Sequence, residues 1–287
     1  KLYRTLHLYP GSKAKYDAAG NITGYENETV SSYTEKDGCH VYTFRGITAM
    51  EMSSAVTATL YATKNGALSS SETVSYSVLT YATNQLQKSA DTKLHTLLVD
   101  LLNYGAAAQT YWHYNTANLA NANLTEEQQK LATQTAPTLE SCKALTKHDG
   151  AAVHFKSASL SLKEKVTINY YLDLTEYNGD VNDLQVVISY TDTDGSLKTA
   201  TVDGSAISNR NGSYVASFSA LNAIQMRTLC TAEVYDKTAG ERVSDTVTYS
   251  IESYAASKAN DTDASLIALV NAMMTYGDAA NAFFNQQ

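Results

Sequence analysis

The residues that could do covalent chemistry in this chain are few and scattered. Nucleophilic catalysis needs a Ser or Cys beside a His base and an orienting acid. No Gly-x-Ser-x-Gly elbow occurs, and the six histidines share no motif. His95 and His113 fall in or near one helical stretch but stand eighteen residues apart. Glycoside hydrolysis needs two carboxylates facing one bond. The acidic residues gather instead at turns and caps, as at Asp192, Asp194, Asp261 and Asp263. Asp192-Thr-Asp194-Gly195 starts like a calcium loop but lacks the third acidic ligand and the distal Glu. A hairpin turn accounts for it, so no catalytic residue, no metal site and no cofactor are expected.

Aromatic rings are the remaining candidates. The chain holds 21 Tyr against 5 Phe and 1 Trp, and Tyr joins a flat apolar face to a hydrogen-bonding tip. Five rings are candidate contacts for a polar, uncharged ligand: Trp112, Tyr114, Tyr111, Tyr16 and Tyr25. Trp112 sits at the centre of an apolar helical stripe, so core packing is its first reading and the rim of a cleft its second. Tyr114 falls on the opposite side of that helix and is expected to be exposed. Tyr111 shares an edge with Tyr104, and both have aromatic counterparts at Phe283 and Tyr276, which favours shared structure. Tyr16 and Tyr25 lie in polar, glycine-containing stretches, where loop aromatics on a rigid scaffold can meet a ligand.

The elements that must position these rings come as two copies. Tyr76–Ala82 matches Tyr249–Ala255, Tyr104–Trp112 matches Tyr276–Phe284, and Phe44–Met52 matches Phe218–Met226. The offsets are 173, 172 and 174 residues, three collinear matches with small loop deletions between them. Each copy first alternates, as strands do. His40–Phe44 and Val56–Tyr61 alternate in the first copy, and Val166–Leu172, Leu184–Tyr190 and Thr231–Tyr235 in the second. Asn65-Gly66, Asn178-Gly179, Asp194-Gly195, Asp203-Gly204 and Asn211-Gly212 are hairpin signals between such runs.

Each copy then changes period. Leu94, Leu97, Leu98, Leu101, Gly105, Ala108 and Trp112 recur at helical spacing, as do Leu266, Leu269, Val270, Met273, Gly277, Ala280 and Phe284. Asp91 or Thr92, and Asp261 or Thr262, are candidate N-caps. Glycine in mid-helix in both copies predicts a close approach to another backbone. Leu124–Leu131 reads as a short capped helix, ended by Pro137.

The expected fold is mainly β with α: two tandem lobes, each an antiparallel β-sandwich followed by an amphipathic helix. The expected division is 1–120 as a first lobe with an atypical front end, 121–143 as a helical connector, and 144–287 as the second lobe. Residues 1–37, with Tyr3, Tyr9, Tyr16, Tyr25 and Tyr33 and with Gly11, Gly20 and Gly24, stand where the second copy has the strands of 151–190. Either strands were removed there or the lobe was remodelled.

Bulk composition narrows the partners. Net charge is −8 and the charged fraction only 17%, with no Lys/Arg run, which argues against nucleic acid and anionic membranes. The polar surface must come from Ser, Thr, Asn, Gln and Tyr, whose neutral hydroxyls and amides suit an extracellular protein meeting neutral polymers. No apolar run approaches the roughly 20 residues of a membrane helix, so no membrane insertion is expected. Cys39, Cys142 and Cys230 allow at most one disulfide. The chain opens on Lys without an apolar leader, which reads as a fragment or a processed product.

The stretch Leu101–Asn115, with Tyr76-Ser-Val, Tyr81-Ala82 and Ala49-Met-Glu-Met52, resembles a repeat module of surface proteins of ruminococcal gut bacteria, typed by Tyr104-Gly-Ala-Ala-Ala-Gln109. The pairing of copies resembles the bilobed starch-binding domain of amylosome starch adherence system proteins. The similarity spans about residues 38–120 and 151–287. It implies a non-catalytic, carbohydrate-binding, secreted and cell surface-associated domain that takes starch, amylopectin or maltooligosaccharides in an aromatic-lined groove. Other modules of a cell-surface complex would be its neighbours. The alternatives are a structural or protein-docking module of such a complex, or a binder of another plant polysaccharide. An enzyme would instead need carboxylates or a Ser–His pair converging in one cleft.

Overall fold

The computed structural model describes residues 5–9, 12–64 and 67–285. It is mainly β, with several antiparallel sheets and a smaller share of helix. The chain divides into two compact units, Lys1–Ala132 and Thr133–Gln287. The expected turn at Asn65-Gly66, together with Tyr3 and Gly11, lies outside the described residues.

In unit 1 the strands are β1 (Thr5–Tyr9), β2 (Ser12–Tyr16), β3 (Ile22–Asn27), β4 (Thr34–Lys36), β5 (Cys39–Val41), β6 (Val56–Lys64) and β7 (Ala67–Tyr76). β6 pairs with β7, with β1, and with β2 at Lys13↔Val56, while β3 pairs with β2. β4 and β5 form a separate hairpin turned by Asp37 and Gly38, both at positive φ. The strand expected over His40–Phe44 stops at Val41, because among the described residues nothing pairs with it beyond β4.

Unit 2 holds β8 (Ala144–Thr146), β9 (His154–Ser161), β10 (Thr167–Asp173), β11 (Leu184–Thr191), β12 (Leu197–Asp203), β13 (Ser208–Arg210), β14 (Ser213–Phe218), β15 (Cys230–Asp236), β16 (Glu241–Arg242) and β17 (Thr246–Tyr249). One sheet runs β13-β14-β10-β9 and the other β12-β11-β15-β17-β8, with β16 on β15. Alternation drives the second: Leu184, Val186 and Ile188 on β11 and Cys230, Ala232 and Val234 on β15 are all fully buried. Asp194-Gly195 and Asn211-Gly212 close hairpins, the latter with both residues at positive φ, as a two-residue mirror-type turn requires. Asn178-Gly179 and Asp203-Gly204 do not close hairpins. The strands on either side of each belong to different sheets, so these glycines serve crossings. A Cβ on Gly204 would come within 2.0 Å of the Val181 carbonyl oxygen, so only glycine fits that crossing.

Each unit carries two helices after its strands where one was expected: α1 (Val78–Lys88) and α2 (Thr92–Tyr111) in unit 1, which then closes with the helical turn α3 (Glu126–Gln129), and α4 (Ile251–Lys258) and α5 (Ala264–Phe284) in unit 2. α1 and α4 start at matched N-caps: the Ser77 and Ser250 hydroxyls accept from the Thr80 and Ser253 amides. Asp91 caps α2 as expected. At α5 the cap is Asp263 rather than Asp261 or Thr262, since its carboxylate accepts from the Ser265 and Leu266 amides. Thr125 and Gln128 complete a capping box on α3. The mid-helix glycines lie against backbone. A Cβ on Gly105 would meet Met52 Sδ at 2.9 Å and the Ala49 carbonyl at 3.2 Å; on Gly277, Met226 Sδ at 2.7 Å and the Ala223 carbonyl at 3.1 Å. Among the described residues no helix is long and apolar enough to cross a membrane.

Candidate functional site

The end of α2 organises the aromatic candidates of unit 1. Trp112 is the C-cap, and His113 and Asn115 both take positive φ, so the chain turns sharply off the helix. Gln109 holds that turn. Fully buried, its side-chain amide donates to the carbonyls of Asn115 at 3.1 Å and Asn118 at 3.0 Å, and its oxygen accepts from the Ala120 amide at 2.7 Å. The turn is stitched to the loop after β2. Asn115 N donates to the Asp17 carbonyl at 2.9 Å, and the Thr116 amide and hydroxyl donate to that of Ala18. Gly20 is needed there: its φ is +83°, and a Cβ would strike Asn118 Nδ2 at 2.7 Å.

This stitching brings Tyr114 to Tyr16. Their rings meet edge to face, with centroids 6.2 Å apart at 89°. Tyr114 was expected exposed on the far side of the helix. It lies beyond the helix and is half-buried, its hydroxyl 3.5 Å from both the Ala14 carbonyl and Ser54 Oγ, and burial pushes its phenol above the ordinary range. Tyr25 is paired across the strands with Ala14 and is 59% exposed. Three candidates therefore gather about one buried alanine. Trp112 and Tyr111 form a second pair, centroids 5.1 Å apart at 80°, both half-buried. Unit 2 repeats that pair as Phe283 and Phe284, at 4.9 Å and 83°.

Beneath the tyrosines lies a buried ion pair. Lys13 Nζ donates to Glu51 Oε2 at 2.8 Å and to the Gly46 carbonyl at 2.8 Å, with Glu26 at 3.4 Å. Burial disfavours the Lys13 charge, but the bond and charge of Glu51, with Glu26, outweigh it and leave the ammonium above its ordinary pKa.

Unit 2 has clefts that the sequence did not reveal. One of them, of about 450 Å³, is lined by Tyr177 and Tyr214 together with Lys156, Asp173, Thr175 and Asp180. Tyr177 donates to Asp236 at 2.8 Å, and burial with that bond pushes its phenol up to about 12. Another, of about 530 Å³, has Arg227 at its wall. Arg227 grips Asp278 with two donors, at 2.7 and 2.8 Å, and also bonds Glu252 and the Thr138 carbonyl. Both carboxylates are thus bound to one guanidinium, an arrangement that fixes structure rather than transferring protons. Among the described residues no group of three or more His, Cys, Asp or Glu could hold a metal ion. Cys230 is buried and its thiol pushed up to about 12; Cys39 and Cys142 are also unpaired.

Sequence reasoning named the rings but missed Gln109, Asp17 and Gly20, which bring Tyr114 to Tyr16. The signal was present: Gln109 stands where the second copy has Asn281, whose shorter amide bonds elsewhere, to the Ile224 carbonyl. No protein-family model, no curated protein and no solved structure matches the chain.

Proposed function

We propose that this chain is a non-catalytic carbohydrate-binding domain that takes an uncharged α-1,4-glucan of the starch type on the tyrosines of unit 1. The observation that carries the reading is the gathering of Tyr16, Tyr114 and Tyr25 about Ala14, with Tyr16 on β2, Tyr25 on β3 and Tyr114 on the turn that Gln109 holds. Sugar rings stack on such faces while hydroxyls and amides bind their edges. The Tyr177–Tyr214 cleft, with its carboxylates and lysine, is the natural second contact. The resemblance of Leu101–Asn115 to the ruminococcal surface module supports the same ligand and an extracellular, cell-surface setting. In this reading the units are two diverged lobes of one β-sandwich-plus-helix plan. Unit 2, whose sheets touch where Tyr190 meets Phe218 at 5.6 Å, is its fuller version.

Binding to a panel of amylopectin, cellulose, xylan and pectin, read by gel retardation, tests the ligand class. Retardation by amylopectin alone supports the proposal, and unchanged mobility with all four removes it. A second reading, a docking module of a surface complex, is favoured by one observation: Leu68 and Val74 on β7 are 62% and 63% exposed.

A further inference from the structure

The β4–β5 hairpin of unit 1 and the β13–β14 hairpin of unit 2 are the same object. Thr34↔Val41, Glu35↔His40 and Lys36↔Cys39 recur as Ser208↔Val215, Asn209↔Tyr214 and Arg210↔Ser213, each residue displaced by 174. The turn residues Asp37 and Gly38, at φ 52° and 76°, recur as Asn211 and Gly212 at 51° and 81°. The β6–β7 pair likewise repeats β15–β17: Val56↔Tyr76 and Ala58↔Val74 become Cys230↔Tyr249 and Ala232↔Val247.

What differs is what lies next to them. In unit 2, β10 pairs along β14 from Ile168↔Phe218 to Leu172↔Tyr214, and β9 pairs with β10. Its inward residues Phe155, Ile168, Tyr170 and Leu172 are buried, and Tyr170 lies beside Cys230 and Tyr249 of the facing sheet. Among the described residues, unit 1 has no counterpart of β9 or β10. Its equivalent positions are open: Val74 is 63% exposed against 2% for Val247, and Tyr76 49% against 4% for Tyr249. Val56, Ala58 and Leu60 are half-exposed where Cys230, Ala232 and Val234 are fully buried. The strand itself ends at Val41, although its counterpart runs on to Phe218.

We infer that unit 1 is a receptor for a β-hairpin of polypeptide from outside these residues, carrying the alternating pattern of His154–Asp173. The incoming strand would pair along His40–Phe44 as β10 pairs along Tyr214–Phe218, adding ladder hydrogen bonds, and its apolar side chains would cover Val56, Ala58, Val74 and Tyr76. The inference does not rest on glycan binding, and the two fail separately.

The test is a synthetic peptide of residues 154–173, tethered to a sensor surface to keep it from self-association, over which the full chain is passed. Hydrogen exchange is measured with the same peptide in solution. The expected result is saturable binding with protection gained over 34–44 and 67–76. Binding should weaken by at least about tenfold when the chain carries Val74→Ser and Tyr76→Ser, or the peptide carries Ile168→Ser and Leu172→Ser. Val74 and Tyr76 are exposed, so the chain variant is expected to fold. Absence of binding, equal binding of the serine peptide, protection of those segments by maltoheptaose instead, or their protection by self-association of the chain would each overturn the inference.

Discussion

Glu51 and Gln225 hold the same place in the two units but face opposite partners. Each reaches back to cap its own helical turn, at Thr48 N and Asn222 N. Glu51 then accepts from the buried Lys13 ammonium at 2.8 Å, whereas Gln225 donates to Asp192 at 2.9 Å. Glu51→Gln should therefore remove the nearest countercharge of a buried ammonium, leaving Glu26 at 3.4 Å and the Gly46 carbonyl, and cost unit 1 about 1.5–3 kcal/mol. Trp112, the one Trp, lies in unit 1 and reports its unfolding alone by fluorescence in a urea titration. Because the folded Lys13 pKa is raised, its contribution is complete below the ordinary 10.5 and is lost as pH climbs through the folded value. Wild-type stability of unit 1 should fall on that alkaline limb, and Lys13→Met should abolish the fall.

Asp245 gives the opposite sign in unit 2. Its side chain is fully buried and accepts from His154 Nδ1 at 2.8 Å, Lys147 Nζ at 3.0 Å and the His148 amide at 3.1 Å. Burial opposes ionisation, but these donors outweigh it and hold the carboxyl below 3.8. Its contribution is present above that value and lost as pH falls through the folded pKa. Asp245→Asn should lower the melting temperature of unit 2 at neutral pH, with the gap to wild type closing in acid. Calorimetric scans across pH check this.

Alanine is the better helix former by about 1 kcal/mol, so Gly277→Ala in an open helix would stabilise. Here the new methyl meets Met226 and the Ala223 carbonyl, and overpacking of about 1–3 kcal/mol should win. Gly105→Ala faces the same clash with Met52 and the Ala49 carbonyl. Both variants should unfold at lower urea than wild type, and a rise in either midpoint would refute the close-approach account.

These glycines show what was legible beforehand. A glycine in mid-helix in both copies has only a packing explanation, and the neighbouring backbone is there. The N-caps at Ser77 and Ser250 were equally readable, yet α1 and α4 went unseen. Their short apolar runs follow directly on strands, and the period changes within a few residues. The crossings at Asn178-Gly179 and Asp203-Gly204 were misread as hairpins because a turn dipeptide does not say which sheet the next strand joins. The place of Tyr114 was hidden because it depends on hydrogen bonds to residues almost a hundred positions away, at Ala14, Asp17 and Ala18.

Gln109 is the residue on which that arrangement turns. Gln109→Ala removes four hydrogen bonds, those to the Asn115 carbonyl and from the Ala120 amide being buried, leaves the carbonyls of Asn115 and Asn118 without this donor, and should cost about 2–4 kcal/mol. The near-ultraviolet circular dichroism of the Tyr16–Tyr114 pair should weaken with it. Gln109→Glu, which keeps the size but loses the donor, should fare little better.

The central claim is that the cluster of Tyr16, Tyr25 and Tyr114 in unit 1 holds an uncharged glucan. Affinity electrophoresis through amylopectin tests it most directly, comparing wild type with Tyr25→Ala, which leaves the interior untouched, and with Tyr16→Ala. The account predicts retardation of wild type that is clearly reduced in Tyr25→Ala and largely lost in Tyr16→Ala. Wild-type mobility unaffected by amylopectin, or equal retardation of all three proteins, would contradict it.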